Sequence, residues 1–213
     1  MDRRFLLILL VLFVGFIGFL MFSKQGNMGE GDSVSSVGSQ NFYGKMDSPV
    51  TLVEFVDFQC EACYAYYPSV KQLKAEYGDR VKFQVRNFPI TSGHQFAFQA
   101  ARAAEAAARQ NKFWEMHDKI FEGQKTWEQT QDPGSIFEGY AQSIGLDMEK
   151  FKTDRNSSEV AAVINKDLAD TKEIGASGTP TFVLNGKKID NPGQDYEALK
   201  KILDDALAEA GQN

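Results

Sequence analysis

The sequence predicts an α/β domain set behind a membrane-spanning helix, and three observations carry that prediction. Residues 5–22 form an unbroken run of 18 apolar residues or glycines. Two runs rich in β-formers, 51–58 and 80–88, flank a segment with helical apolar spacing, the pattern of a strand, a helix and a parallel strand. A later pair of short strands, 181–184 and 187–189, flanks Asn185-Gly186, a strong hairpin signal. The 213 residues carry a net charge of −6, with 24% charged and 12% aromatic side chains. That aromatic content is too high for a disordered chain. The acidic balance argues against nucleic acid as a partner, because phosphate binding needs concentrated Lys and Arg.

As a helix, residues 5–22 reach ~27 Å at ~1.5 Å per residue, close to the hydrocarbon thickness of a bilayer. Arg3 and Arg4 precede the run, while Lys24, Glu30 and Asp32 follow it, so the basic bias keeps the N-terminus in the cytoplasm. A cleaved signal peptide is the competing reading, but residues 20–23 supply no small-x-small site. Residues 1–23 are thus expected to be a cytoplasmic stub and a single-pass signal-anchor. Residues 24–40, with four Gly and four Ser, read as a flexible tether of mean span ~20–25 Å. Residues 41–213 are the expected extracytoplasmic domain.

Within that domain, residues 51–58 read as a buried strand. Residues 60–77 follow as a helix, stopped at Gly78 and kinked by Pro68. Residues 80–88 alternate as a second strand, closed by Pro89. An alanine-rich helix over 94–110 is expected next, with Thr91 and Ser92 as available caps. Phe113, Met116, His117, Ile120 and Phe121 mark one face of another helix, and 135–144 a third. A short turn near 148–151 leads to a helix over 158–174. After the hairpin, a closing helix begins at a capping Asp195. The order is β-α-β, a helical block over about 92–174, then β-β-α.

Cys60 and Cys63 are the only cysteines. A structural zinc site needs four ligands, and His94 and His117 show no pairing pattern, so no metal is expected. Copper(I) suits soft thiolates, but no Met- or His-rich motif accompanies the pair. Incidental packing fits lone cysteines better than a pair set between strand and helix. A redox pair is the reading that remains. Cys60 falls at a helix start, where free N–H groups and the dipole stabilise a thiolate. It is the expected nucleophile, with Cys63, one turn on, as the resolving thiol. Glu61 places a like charge beside that thiolate, which is expected to raise its pKa and weaken the pair as an oxidant.

The segment EFVDFQCEACYAYYP, from Glu54 to Pro68, resembles the active-site segment of the DsbA family within the thioredoxin superfamily. GTPTFVLNG, from Gly178 to Gly186, resembles that family's cis-proline loop, strand and hairpin. The likeness runs from about Asn41 to Gly211 and implies a thioredoxin fold with an inserted helical domain. It also implies that Thr179 and Pro180 form a cis-peptide loop against Cys60 that offers backbone groups to an extended substrate. Glu54 matches the family's buried carboxylate, which helps move the proton of the second thiol; a half-exposed strand residue is the alternative. Asp57 reads as a turn-side or solvated residue, His94 as part of a helix start, and His117, Phe113, Trp114 and Phe121 as core. Tyr64, Tyr66 and Tyr67 fit a peptide groove or domain packing equally well.

The resemblance implies a membrane-anchored thiol:disulfide oxidoreductase that oxidises cysteine pairs of exported proteins, needs no diffusible cofactor, and is recharged by a membrane oxidase of the DsbB or VKOR type. The alternatives are a reductase or isomerase, and a non-catalytic peptide-binding module. The intact chain is expected to sediment with membranes, with protease reaching the domain only from outside. Recovery of a soluble exported form beginning near Ser23 would identify a cleaved signal instead.

Overall fold

The computed structural model describes residues 38–190 and 192–211. The expected anchor and most of the expected tether lie outside them. Among the described residues no helix is long and apolar enough to cross a membrane.

Five strands form one mixed sheet in the order β1-β3-β2-β4-β5: β1 Asn41–Gly44, β2 Thr51–Val56, β3 Lys82–Asn87, β4 Thr181–Leu184 and β5 Lys187–Ile189. β2 lies at the centre, parallel to β3 and antiparallel to β4. β1 is an edge strand antiparallel to β3. Its four residues carry too short an alternation to be read from sequence. Asn185 and Gly186 both have positive φ, 49° and 81°, which gives the β4–β5 hairpin the tight two-residue turn that its sequence predicts.

Helix α1, Glu61–Tyr77, leaves the C-terminal end of β2 and continues through Pro68 to Gly78. Along β2, Leu52, Glu54 and Val56 share one face by the two-residue period. The α1 side chains Tyr66, Val70, Leu73 and Tyr77 pack with Leu52 and Phe83, and with Leu199 and Leu203 of the closing helix α8, Tyr196–Ala210. Cys63 and Tyr67, from the same helix, belong to a second apolar cluster with Val56, Phe58 and the helical insertion. Glu54 therefore lies between two cores.

The insertion comprises α2 Ala97–Ala108, α3 Phe113–Glu122, α4 Gln124–Trp127, α5 Gly134–Ser143, α6 Met148–Asn156 and α7 Ser158–Glu173. Seven buried alanines line α2: 97, 100, 101, 103, 104, 106 and 107. Such small side chains let α3, α5, α6 and α7 all pack on this one helix. Its alanine content is thus that of a core hub. The expected turn near 148–151 is instead the nine-residue helix α6, whose start is capped by Asp147 accepting from the Lys150 amide. α2 begins three residues later than expected and has no side-chain cap, because Thr91 and Ser92 lie in a preceding turn.

The expected tether boundary at 40 also shifts. Ser39 is buried, and its backbone N–H donates to Asp167 Oδ1 at 2.9 Å. Its hydroxyl lies 2.6 Å from Glu105 and 2.5 Å from Asp167. Asp167 also accepts from the Asn87 amide at 2.8 Å, and Arg86 bridges Asp167 and Asp170 at 2.6 Å each. This network joins the N-terminal segment, β3, α2 and α7. Burial, followed by the neighbouring Asp167 charge, raises the pKa of Glu105 against its hydrogen bonds. Removing one member of such a network leaves other buried polar groups unpaired. Asp167→Ala is expected to lower the unfolding free energy by about 3–5 kcal/mol in urea denaturation. A loss below ~1 kcal/mol, the range of exposed ion pairs, would show that the network does not hold the fold.

Candidate active site

Cys60 is the N-cap of α1, with extended φ and ψ of −74° and 127°. It is half-buried, whereas Cys63 is fully buried, and both are free thiols. The chain enters this turn with Cys60 N–H bonded to Asp57 O at 3.1 Å and leaves it with Tyr64 N–H bonded to Cys60 O at 3.1 Å. The loop before β4 comes against the first sulfur. Cys60 Sγ donates to Thr179 O at 3.5 Å, and the Thr179–Pro180 bond is cis. The structure thus brings together the two cysteines and the loop residues singled out from sequence.

The Cys60 sulfur is surrounded by donors. A hydrogen bond from Cys63 is the largest influence holding its pKa down, at about 5 rather than 9.0. Partial burial works against this. The Thr179 side chain and the amides of Cys63 and Ala62 add to the lowering. Thr179 Oγ1 is buried and has no other partner among the described residues. While Cys60 is protonated, its S–H is spent on the Thr179 carbonyl; once ionised, the sulfur becomes an acceptor for the Thr179 hydroxyl. Cys63 goes the other way. Burial pushes its thiol well above 9.0, with the Cys60 sulfur and then Glu54 adding to the rise. One sulfur is held as a thiolate and the other as a thiol, the division of labour that exchange requires.

Glu54 is buried on the central strand and makes no ion pair among the described residues. Burial pushes its pKa up to about 8, opposed by the charge of Lys74. Lys74 itself is buried, and desolvation brings it down to about 8. Its ammonium sits 3.5 Å from the Trp114 ring centroid and 5.1 Å from that of Tyr43, a cation–π enclosure. Lys74 did not emerge from the sequence reading, although a signal exists. It continues the 63-67-70-74-77 stripe, whose other members are all buried and apolar.

Asp57 is not solvated, as the sequence suggested. Its carboxylate accepts from Gln59 N–H and Ile90 N–H, each at 2.8 Å, and meets His94 Nδ1 at 2.7 Å. His94 lies in the turn before α2 rather than in a helix start. His117 is a buried core histidine among Phe58, Tyr67, Phe113, Trp114 and Phe121, and burial lowers its pKa to about 4. Tyr67 stacks on Phe121 within the same core. Tyr66 instead lines a surface cavity of about 290 Å³ with Gly178, Thr179, Pro180, Lys188 and Pro192.

The expected rise in the Cys60 pKa from Glu61 does not prevail. Its carboxylate pairs with Lys125 of α4 at 2.9 Å, and Glu61 is not among the largest influences on the pKa of Cys60, which is lowered. The reason is tertiary: α4 carries a cation to the helix start, and at 83% exposure the Glu61 side chain is well screened. Among the described residues, no group of three or more His, Cys, Asp or Glu is arranged to hold a metal ion.

A family model described as Thioredoxin matches residues 36–205. The oxidised crystal structure of BdbD from Bacillus subtilis is similar at 29% identity and a TM-score of 0.68, over 83% of this chain and 99% of that one. A thioredoxin-like oxidoreductase from Silicibacter pomeroyi matches at 28% identity and a TM-score of 0.64, over 81% and 92%. A Na(+)/H(+) antiporter NhaA 3 from Salinispora tropica is 36% identical over 167 residues, 78% of this chain but 24% of the antiporter. The chain therefore spans about a quarter of the length of such curated relatives.

The two pKa shifts give a testable pH dependence. A depressed pKa stabilises the reduced fold fully above the unfolded value, 9.0 for Cys60, and that stability is lost as pH falls through about 5. Glu54, with its raised pKa, acts in the opposite sense: its contribution is present below 4.5 and lost as pH rises through about 8. Glu54 is present in both redox forms, so the reduced-minus-oxidised difference in stability isolates most of the cysteine effect. That difference is expected to shift against the reduced form as pH falls from 9 to 5, and iodoacetamide labelling of Cys60 to be half-maximal near pH 5. Half-maximal labelling at the ordinary thiol value would refute the thiolate assignment.

Proposed function

This chain belongs to the thioredoxin family, and from that premise we propose that it is a thiol:disulfide oxidoreductase of DsbA type that works as an oxidant, placing disulfides into exported proteins through Cys60 and Cys63. The observation that carries the direction is the set of donors around Cys60. A well-stabilised thiolate stabilises the dithiol form, and a stabilised dithiol is what makes its disulfide oxidising.

In this proposal the resting form holds a Cys60–Cys63 disulfide. A substrate thiolate attacks Cys60 Sγ, an S–S bond forms to the substrate, and the Cys60–Cys63 bond breaks with its electron pair passing to Cys63. The Cys63 thiolate is strongly disfavoured by burial and takes a proton. Glu54, with a pKa of about 8, is protonated near neutrality and serves as the donor. A second substrate thiolate then attacks the substrate sulfur, forming the product disulfide and releasing Cys60 as a good leaving group. The substrate loses two electrons and the domain gains them as a dithiol. A membrane oxidase of the DsbB or VKOR type is the proposed acceptor that restores the disulfide.

The cavity beside Thr179 and Pro180 is the proposed seat of the substrate backbone, with Tyr66 on its wall. The proposed location is extracytoplasmic, on a single-pass anchor with its N-terminus in the cytoplasm. Support for that location is the 18-residue apolar run behind Arg3 and Arg4, together with the persistence of disulfides outside the cytoplasm.

Glutathione titration tests the direction. The expected reduction potential lies between thioredoxin's ~−270 mV and DsbA's ~−120 mV, and Cys60→Ser should abolish oxidation of a dithiol peptide. A potential at or below the thioredoxin value would make the protein a reductase. No turnover by the wild type, with peptide affinity retained in Cys60→Ser, would make it a binding module.

A further inference from the structure

Between the end of β2 and the start of α1, residues 57–60 make no strand pairing of their own. Side chains and one turn hydrogen bond hold them. Asp57 ties Gln59 N–H and Ile90 N–H, and Gln59 Oε1 accepts from Phe96 N–H at 2.7 Å. These ties reach toward the loop before α2. On the insertion's far side, the segment is held by Gln124, the first residue of α4.

Gln124 is fully buried. Its Nε2 donates to Phe58 O at 2.8 Å and to Cys60 O at 3.2 Å. The two carbonyls flank the Gln59–Cys60 step, so one amide group fixes the backbone on both sides of the nucleophile's α-carbon. Cys60 O is also the acceptor of the first helical bond of α1. A second donor on it sets the plane of the Cys60–Glu61 peptide, from which the first turn departs. In that turn the amides of Ala62 and Cys63 reach back to the sulfur.

Gln124 Oε1 is buried with no partner among the described residues. A core amide kept with a bare acceptor needs an explanation, and here the amino end supplies it. We propose that Gln124 is a positioning residue for the exchange reaction, holding the Cys60 turn so that its sulfur stays against the backbone donors of α1 and the Thr179 loop. The proposal rests on the reading of Cys60 as the nucleophile. It means that the helical insertion, which contributes no reacting atom, helps set the potential of the cysteine pair.

The test uses the full-length protein in detergent with Gln124→Met, which keeps the length and loses the donor, and Gln124→Asn, which keeps the amide and loses the reach. Trp127→Phe is the control: it disturbs the same short helix by removing the indole N–H that bonds to Ile120 O, and it leaves both Gln124 hydrogen bonds to the Cys60 turn in place. Both Gln124 variants are expected to be weaker oxidants, with the glutathione equilibrium constant changed about tenfold, or about 30 mV, and with the Cys60 labelling midpoint moved to higher pH. Trp127→Phe should lose stability and keep both readouts. If Gln124→Met fails to fold, Gln124→Asn decides. Variants that are destabilised yet keep the wild-type potential and midpoint would reduce Gln124 to a structural residue and overturn the proposal. If the wild type itself shows no labelling at Cys60 below pH 7, the reading of Cys60 is at fault, and the role given to Gln124 falls with it.

Discussion

The position of β2 in the middle of the sheet fixes where every reacting group can be. β3 on one side and β4 on the other hold its register from Thr51 to Val56, so Glu54 is committed to a buried face and the chain must leave the sheet at Asp57. The helix that follows therefore starts beyond the C-terminal end of this central strand, with its first N–H groups turned toward Cys60. β4 runs antiparallel to β2, which brings its preceding loop, Thr179–Pro180, to the same end. A slip of one residue in β2 would turn Glu54 to the opposite face of the sheet and carry the Cys60 turn away from Thr179.

That geometry creates an electrostatic problem and divides it among neighbours. Two sulfurs within one helical turn cannot both be anions in a buried site, because like charges and desolvation each oppose it. Partial exposure and convergent donors give the charge to Cys60, and full burial leaves Cys63 protonated. Glu54 and Lys74 face the same difficulty with opposite signs. Burial pulls both toward neutrality, and each charge moderates the shift of the other. A carboxyl poised near 8 under the cysteine turn can exchange a proton at neutral pH, which an ordinary solvated glutamate cannot do readily.

The insertion is more than cover. α2 is a small-residue hub on which the other helices pack, and its Glu105 joins the buried network that ties Ser39 and Asn87 to Asp167. α4, only four residues long, reaches the cysteine turn through adjacent side chains: Gln124 on two backbone carbonyls and Lys125 on Glu61. The second contact is solvent-exposed and worth little by itself. It nevertheless neutralises the one anionic side chain between the cysteines.

The sequence by itself determined the strand–helix–strand unit, the hairpin at Asn185-Gly186, the closing helix and the cysteine pair at a helix start, because each is written in a local period or a short turn motif. It also marked Glu54 and the Thr179–Pro180 loop, through likeness of two motifs in the right order. It missed β1, α4 and α6, whose short spans give a periodic signal little room. Only the tertiary structure decided the electrostatics. Glu61 sits next to Cys60 in the chain, yet Lys125, 64 residues away from it, answers its charge. Asp57 looks solvated until the 90–94 loop covers it. Lys74 falls on an apolar stripe, and its burial is offset by the charges of Asp118 and Glu54 and by the rings of Tyr43 and Trp114 folded over it. Local periods are dictated by backbone geometry and can be read from neighbours in sequence. The pKa of a buried group depends on distances to residues far along the chain, and these exist only after folding.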